Sequence, residues 1–199
     1  MTNVWRYAMA GALALAYMCA GRSEASVIID GTRVVYLGQC YMDGGELRRA
    51  IKAFDARVRY GGWEQEVFIS LLRIARLMAR LEYREERVLH AYLRAWAACP
   101  QRAEPLHDLA VYARAKKQFH WAQLFAGYGM QLEKPAQGLF IESDVYDYRL
   151  LDEYAIATYW CGDGADSLDA CVRLLKDATL PEGERERVLA NARFALARL

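Results

Sequence analysis

The chain has 199 residues, 55% of them apolar and 26% charged, a balance that argues against disorder and for a folded domain with a real core. With 26 basic and 25 acidic side chains the net charge is only +1, which gives no electrostatic basis for a general nucleic-acid binder. Five cysteines (Cys19, Cys40, Cys99, Cys161 and Cys171) form no CxxC pair and have no metal-ligand spacing with the three histidines. They read as small buried hydrophobes, with a reducing compartment as the natural setting.

In chain order, residues 1–25 hold the apolar run YAMAGALALAYMCAG followed by RSEAS. Two readings stand: a secretory signal with a weak positive end, or an apolar first helix that covers the end of the fold. The run is too short for a stable membrane span. Nothing later looks secreted, so a cytoplasmic protein is the favoured expectation, with a secreted or periplasmic one if the segment is cleaved. Residues 26–33 read as a connector, with Asp30-Gly31-Thr32 capping a helix.

Four helical hairpins follow, expected at about 32–60, 64–100, 104–132 and 144–178. In the first, Val34, Leu37, Gly38 and Tyr41 share one face, Asp43-Gly44-Gly45 makes the turn, and Ala50, Ile51 and Phe54 face back. Gly61-Gly62 supplies the positive backbone angle that ends it. The second carries Phe68, Leu71, Leu72 and Ala75, breaks at 82–86, and continues with Val88, Leu89, Tyr92, Ala95 and Trp96. The third opens at Glu104-Pro105 with Leu106, Leu109, Ala110 and Ala113, then Ala122, Leu124, Phe125 and Ala126. Residues 133–143 are a longer connector. The fourth starts at Asp144, read as a helix cap, and carries Leu151, Tyr154, Ala155 and Thr158, then Leu168, Cys171, Leu174 and Leu175. A last helix over 184–199, with Val188, Leu189, Ala192, Phe194, Ala195 and Leu196, reads as a terminal cap. A hairpin of this size cannot bury its apolar stripe alone and needs a neighbour stacked beside it.

The spacing of the hairpins is near 34 residues, and the pattern resembles the tetratricopeptide family. Leu37-Gly38, Tyr41, Ala50 and Phe54 match its signature; Leu71, Ala75, Tyr92, Ala95 and Pro100, then Leu109, Ala110, Ala122 and Ala126, match it in part. The fourth unit departs from it, with Ser167 for the usual Ala and Cys171 for the usual aromatic. The resemblance covers about residues 32–180. It implies an all-α fold, a right-handed superhelical stack of about four hairpins with a C-terminal capping helix, forming one domain over 26–199. More narrowly, GGWEQEVF (61–68), RAEPLHDLA (102–110) and DVYDYRLLDEYAIATYW (144–160) are similar to a tetratricopeptide region found behind family 2 glycosyltransferase domains. That likeness implies a glycosyltransferase as a partner. The catalytic part is missing, since no DxD motif occurs in the chain.

No HExxH, GxSxG or Gly-rich phosphate loop is present either, so no catalytic, cofactor or metal site is expected. A third reading, a hydrolase or transferase built on the acids near Asp144, requires carboxylates converging in a deep pocket. The favoured reading is a non-catalytic scaffold that binds a protein or peptide in the groove formed by the first helix of each pair, with an accessory module of a sugar-transfer system as the alternative. The groove residues expected are Gln39 and Asp43; Arg73 and Arg76, flanked by Ile69 and Leu77; His107 and Arg114, with Val111; and Arg149, Asp152 and Tyr159, with Ile156 and Trp160. Arginines and aromatics together are the residue types that dominate interface energetics. The chain has only Asn3 and Asn191 as asparagines, so neither the Lys/Arg–Asn clamp for chaperone tails nor an asparagine ladder is expected.

Overall fold

The computed structural model describes residues 31–177 and 179–199. The readings of residues 1–25 and of Asp30 as a cap lie outside them. Among the described residues all regular structure is helical, with no strand. The chain divides into two compact units, the first ending at Ala91 and the second spanning Tyr92–Leu199.

The first unit contains α1 (Gly31–Asp43), α2 (Leu47–Tyr60) and α3 (Glu64–Arg80); α4 (Glu85–Ala98) carries the boundary between the units. α1 and α2 fold back on each other at Gly44-Gly45, where Glu46 N donates to Tyr41 O at 2.8 Å. Their contact is set by Gly38: a Cβ there would sit 2.6 Å from Phe54 Cε1. Only a residue without a side chain lets the two helices approach across the fully buried Phe54 ring. Ala50, Phe54, Ile74 and Leu77 form the core, with Val35, Tyr41, Ile51 and Met78 packed on it. Ile69 and Leu77, expected beside a groove, are buried instead. Helical spacing alone does not say which edge of an apolar stripe stays open.

α2 is tied to α3 by an ion pair inside the fold. Arg57 Nε donates to Glu66 Oε2 at 2.9 Å and its Nη1 donates to Gly61 O at 2.5 Å, with both side chains buried. The arginine therefore satisfies the turn carbonyl and the carboxylate together, the condition for keeping such a pair out of water.

The second unit holds α5 (Glu104–Ala115), α6 (Phe119–Gly129), a π-helical turn (Val145–Arg149) running into α7 (Leu150–Cys161), α8 (Gly164–Lys176) and α9 (Glu182–Leu196). Successive helices pack together, and α5 also touches α7 while α7 touches α9. Ala113, Ala122 and Ala157 make one close-packed cluster, small enough for three helices to meet. Ala155, Ala170, Cys171, Leu174, Val188 and Ala192 belong to a second. Ser167, where an alanine was expected, donates its hydroxyl to Ala155 O at 2.8 Å, so its burial leaves no polar atom unsatisfied.

A buried node fixes the long connector. Arg102 and Glu104 are almost fully buried and pair through Nε and Nη2, the shortest contact being 2.6 Å. Arg102 also donates to the carbonyls of Leu139 (3.1 Å) and Phe140 (3.3 Å). Glu104 accepts from the Tyr146 hydroxyl at 2.9 Å, and that oxygen accepts from Ala103 N at 2.9 Å. Burial works against the Arg102 charge, but the Glu104 contacts more than offset it and raise its pKa. Burial also pushes Tyr146 up, so it stays a phenol and keeps its proton for Glu104.

Three expectations at this level are corrected. Asp144 makes no cap hydrogen bond: the chain enters the fourth hairpin through the π turn, and the Asp144 carboxylate is taken by Arg149 instead. Leu124, Leu189, Phe194 and Leu196, expected in apolar stripes, are exposed, while Val188, Ala192 and Ala195 carry the packing of α9. Asp152, expected to line an open groove, is buried.

Candidate functional site

A cavity of about 640 Å³ opens in the second unit where α5, the π turn, α7 and α9 meet. α5 contributes His107, Val111 and Arg114; the turn region Asp144, Tyr148 and Arg149; α7 Asp152, Glu153 and Ile156; α9 Glu184 and Arg187. The π turn matters to this arrangement. Its wider winding brings Asp144 and Arg149, five residues apart, within 3.2 Å of each other.

The charges interlock. Arg114 donates to both oxygens of Glu153, at 2.6 and 3.0 Å. Arg187 donates to both oxygens of Asp152, at 3.0 and 2.9 Å, and its Nε reaches Glu184 at 2.8 Å. These are fork-on-carboxylate contacts, the geometry that only arginine offers. The Glu153 hydrogen bond holds the Arg114 guanidinium above its ordinary pKa. At Arg187 burial opposes the charge, and Asp152 with Glu184 outweighs it. His107 is 2% exposed and its Nδ1 lies 3.2 Å from Asp108 Oδ1. Carboxylates do converge here, as the third sequence reading required, but each of the four is held by an arginine.

Asp152 and Asp177 make opposite predictions with pH. Burial pushes the Asp152 carboxyl above the ordinary Asp range; Glu153 and Glu184 add to this and Arg187 opposes it. Its contribution to stability is therefore full below the unfolded pKa and is lost as pH rises through the folded one. Asp177 accepts from the backbone N–H and the hydroxyl of Thr179, both at 2.8 Å, which lowers its pKa. Its contribution is present above the unfolded pKa and lost as pH falls through the folded one. Carboxyl ¹³C chemical shifts followed from pH 2 to 7 will show Asp152 titrating above about 3.9 and Asp177 below it; the reverse order would refute the burial argument.

Of the nine expected groove residues, His107, Arg114, Arg149 and Asp152 line this cavity. Tyr159 does not: its ring lies under the Arg198 guanidinium, 4.2 Å away, and edge-on to Trp160. The other four lie in the first unit. Gln39 donates to Asp43 at 2.7 Å, the Arg73 guanidinium sits 5.4 Å from the Phe54 ring, and the charges of Asp43 and Arg76 both act on Arg73. Burial lowers the Arg73 pKa. Sequence reasoning missed Tyr148, Glu153, Glu184 and Arg187. No local signal existed for Glu153, whose partner Arg114 is distant in sequence, nor for α9, whose alternating charges match any solvated first turn.

Among the described residues no group of His, Cys, Asp and Glu side chains is placed to hold a metal, and no helix is long and apolar enough to cross a membrane. The site thus belongs to an all-helical protein whose cavity is walled by paired charges. In comparison with known proteins, no family model matches the chain and no curated protein matches it.

Proposed function

We propose that the chain is a non-catalytic scaffold of tetratricopeptide-like hairpins that holds a protein or peptide partner. One observation carries this reading: every helix lining the cavity (α5, α7 and α9) is one that a stacked-hairpin scheme makes the first of its pair or the cap, and α6 and α8 contribute nothing. In such a stack the first helices line the binding face. The charge of Asp43 on α1 acting on Arg73 of α3 follows the same rule in the first unit. The pairing of each cavity carboxylate with an arginine supports recognition over a mechanism that uses one of those carboxylates as a free general acid or base.

A photo-cross-linking residue placed at Val111 or Tyr148, in cells that make the protein, is expected to capture a discrete protein or peptide, and one at exposed Lys117 is not. Absence of any product from the cavity positions, or equal capture from Lys117, would overturn the scaffold reading. The alternative, an accessory module of a sugar-transfer system, is favoured by one fact: RAEPLHDLA and DVYDY, two of the segments that carry that likeness, meet in the Arg102–Glu104–Tyr146 node. Copurification with a family 2 glycosyltransferase would support it.

A further inference from the structure

We propose that the cavity receives a guanidinium or ammonium group on an alkyl stem, presented as an arginine or lysine side chain of the partner; this rests on the scaffold reading. The cavity lining holds four carboxylates against three guanidiniums, so its own charge is one unit negative. The imbalance is localised, because Arg187 is shared between Asp152 and Glu184. Position decides which acids meet a ligand. The Asp144 and Glu184 side chains are 48% and 41% exposed, whereas those of Asp152 and Glu153 are 13% and 8% exposed. An incoming cation therefore reaches Asp144 and Glu184 first.

His107 supplies the second, independent observation. Its Nδ1 lies 3.2 Å from Asp108 Oδ1, which can only accept, so Nδ1 donates there, and the tautomer that this contact selects leaves Nε2 as an acceptor. No described group hydrogen-bonds Nε2, and no buried side-chain nitrogen or oxygen among the described residues lacks a partner. Nε2 therefore meets solvent, and since His107 is 2% exposed and lines the cavity, we assign that contact to the cavity. A wall that offers carboxylate oxygens and an imidazole acceptor selects a ligand rich in N–H donors. Val111, Ile156 and the Tyr148 ring provide the apolar surface along which an alkyl stem lies while its charged end reaches the acids. An anionic ligand is disfavoured on the same grounds. It would have to displace a carboxylate held at two points from Arg114 or Arg187, or Asp144 from Arg149, inside a cavity already negative.

A free polyamine shares this chemistry, so the test separates the two sources. Fluorescence anisotropy is measured with labelled Gly-Ala-Xaa-Ala-Gly peptides in which Xaa is arginine, lysine, citrulline or glutamate, with unlabelled spermidine as competitor. The arginine and lysine peptides are expected to bind about tenfold or more tighter than the citrulline and glutamate ones, with a loss of similar size in E184Q and in D144N. Both substitutions keep side-chain shape at the exposed mouth, and far-UV circular dichroism checks the fold. Spermidine that displaces the arginine peptide at lower concentration than the peptide itself binds would overturn the peptide source. Equal or tighter binding of the glutamate peptide, no binding by any peptide, or an arginine peptide indifferent to both substitutions would overturn the proposal. If photo-cross-linking from Val111 still captures a partner in those cases, the scaffold reading survives and only the charge assignment fails.

Discussion

Replacing Arg102 with alanine is expected to destabilise the second unit by about 3–5 kcal/mol, because it leaves the Glu104 carboxylate buried without its cation. Glu104→Ala is expected to do the same from the other side. Each side chain is at most 1% exposed, so water cannot take over the lost contacts. The loss also spreads to the connector, since Arg102 holds the carbonyls of Leu139 and Phe140 and Glu104 accepts from Glu142 N at 3.3 Å. Hydrogen exchange resolved along the chain should show α5 and α7 exchanging faster, and limited proteolysis should cut the 131–143 segment first. Tyr146→Phe removes one donor and one acceptor and is expected to cost about 1–3 kcal/mol. The discriminating variant is the apolar double replacement Arg102→Met/Glu104→Leu. It leaves no orphaned charge and should lie closer to the wild type than either single change. A double variant worse than both singles would mean that the node acts by packing and not by charge.

Phe54→Ala is expected to destabilise the first unit by about 3–5 kcal/mol, as for other fully buried aromatics. The sharper test lies opposite it. At an exposed helix interior, Gly→Ala stabilises by about 0.5–1 kcal/mol. At Gly38 the new Cβ would lie within 2.8 Å of three atoms of the Phe54 ring, so Gly38→Ala should instead destabilise by about 1–3 kcal/mol, the usual penalty for overpacking. Combining Gly38→Ala with Phe54→Leu should recover part of that loss, since the smaller side chain vacates the contested space. The cycle is read by exchange protection of α1 and α2 amides. A stabilising Gly38→Ala would show that the two helices do not approach as closely as the structure has them.

The helical character of the chain was readable because its cause is local. Ala50 and Phe54, or Leu106, Leu109 and Ala110, recur at helical spacing and are the residues that end up buried. What periodicity does not carry is the width of the stripe. Leu124, Leu189, Phe194 and Leu196 continue the pattern in sequence yet lie on the outer faces of their helices. The π turn was unreadable for another reason: nothing in Val145–Arg149 distinguishes it from an ordinary first turn, and π winding is rare enough that an α-helix is always the better guess. The polar nodes escaped because their partners are far apart in sequence. Arg102 and Tyr146, or Asp152 and Arg187, meet only once the helices are placed. The candidate site was therefore half legible. His107, Arg114, Arg149 and Asp152 were found from the expectation that first helices share a face, while the residues that hold two of those charges in place, Glu153 and Arg187, were not.

The part played by α9 has a consequence for how such a protein can change. Among the described residues α9 packs chiefly on α8 and only lightly on α7. Here that helix supplies the cation opposite Asp152 and one of the two reachable acids. Removing this one element would strand the Asp152 carboxylate inside α7 and open the cavity wall at once. α9 and the cavity wall it completes are therefore expected to be kept or lost together.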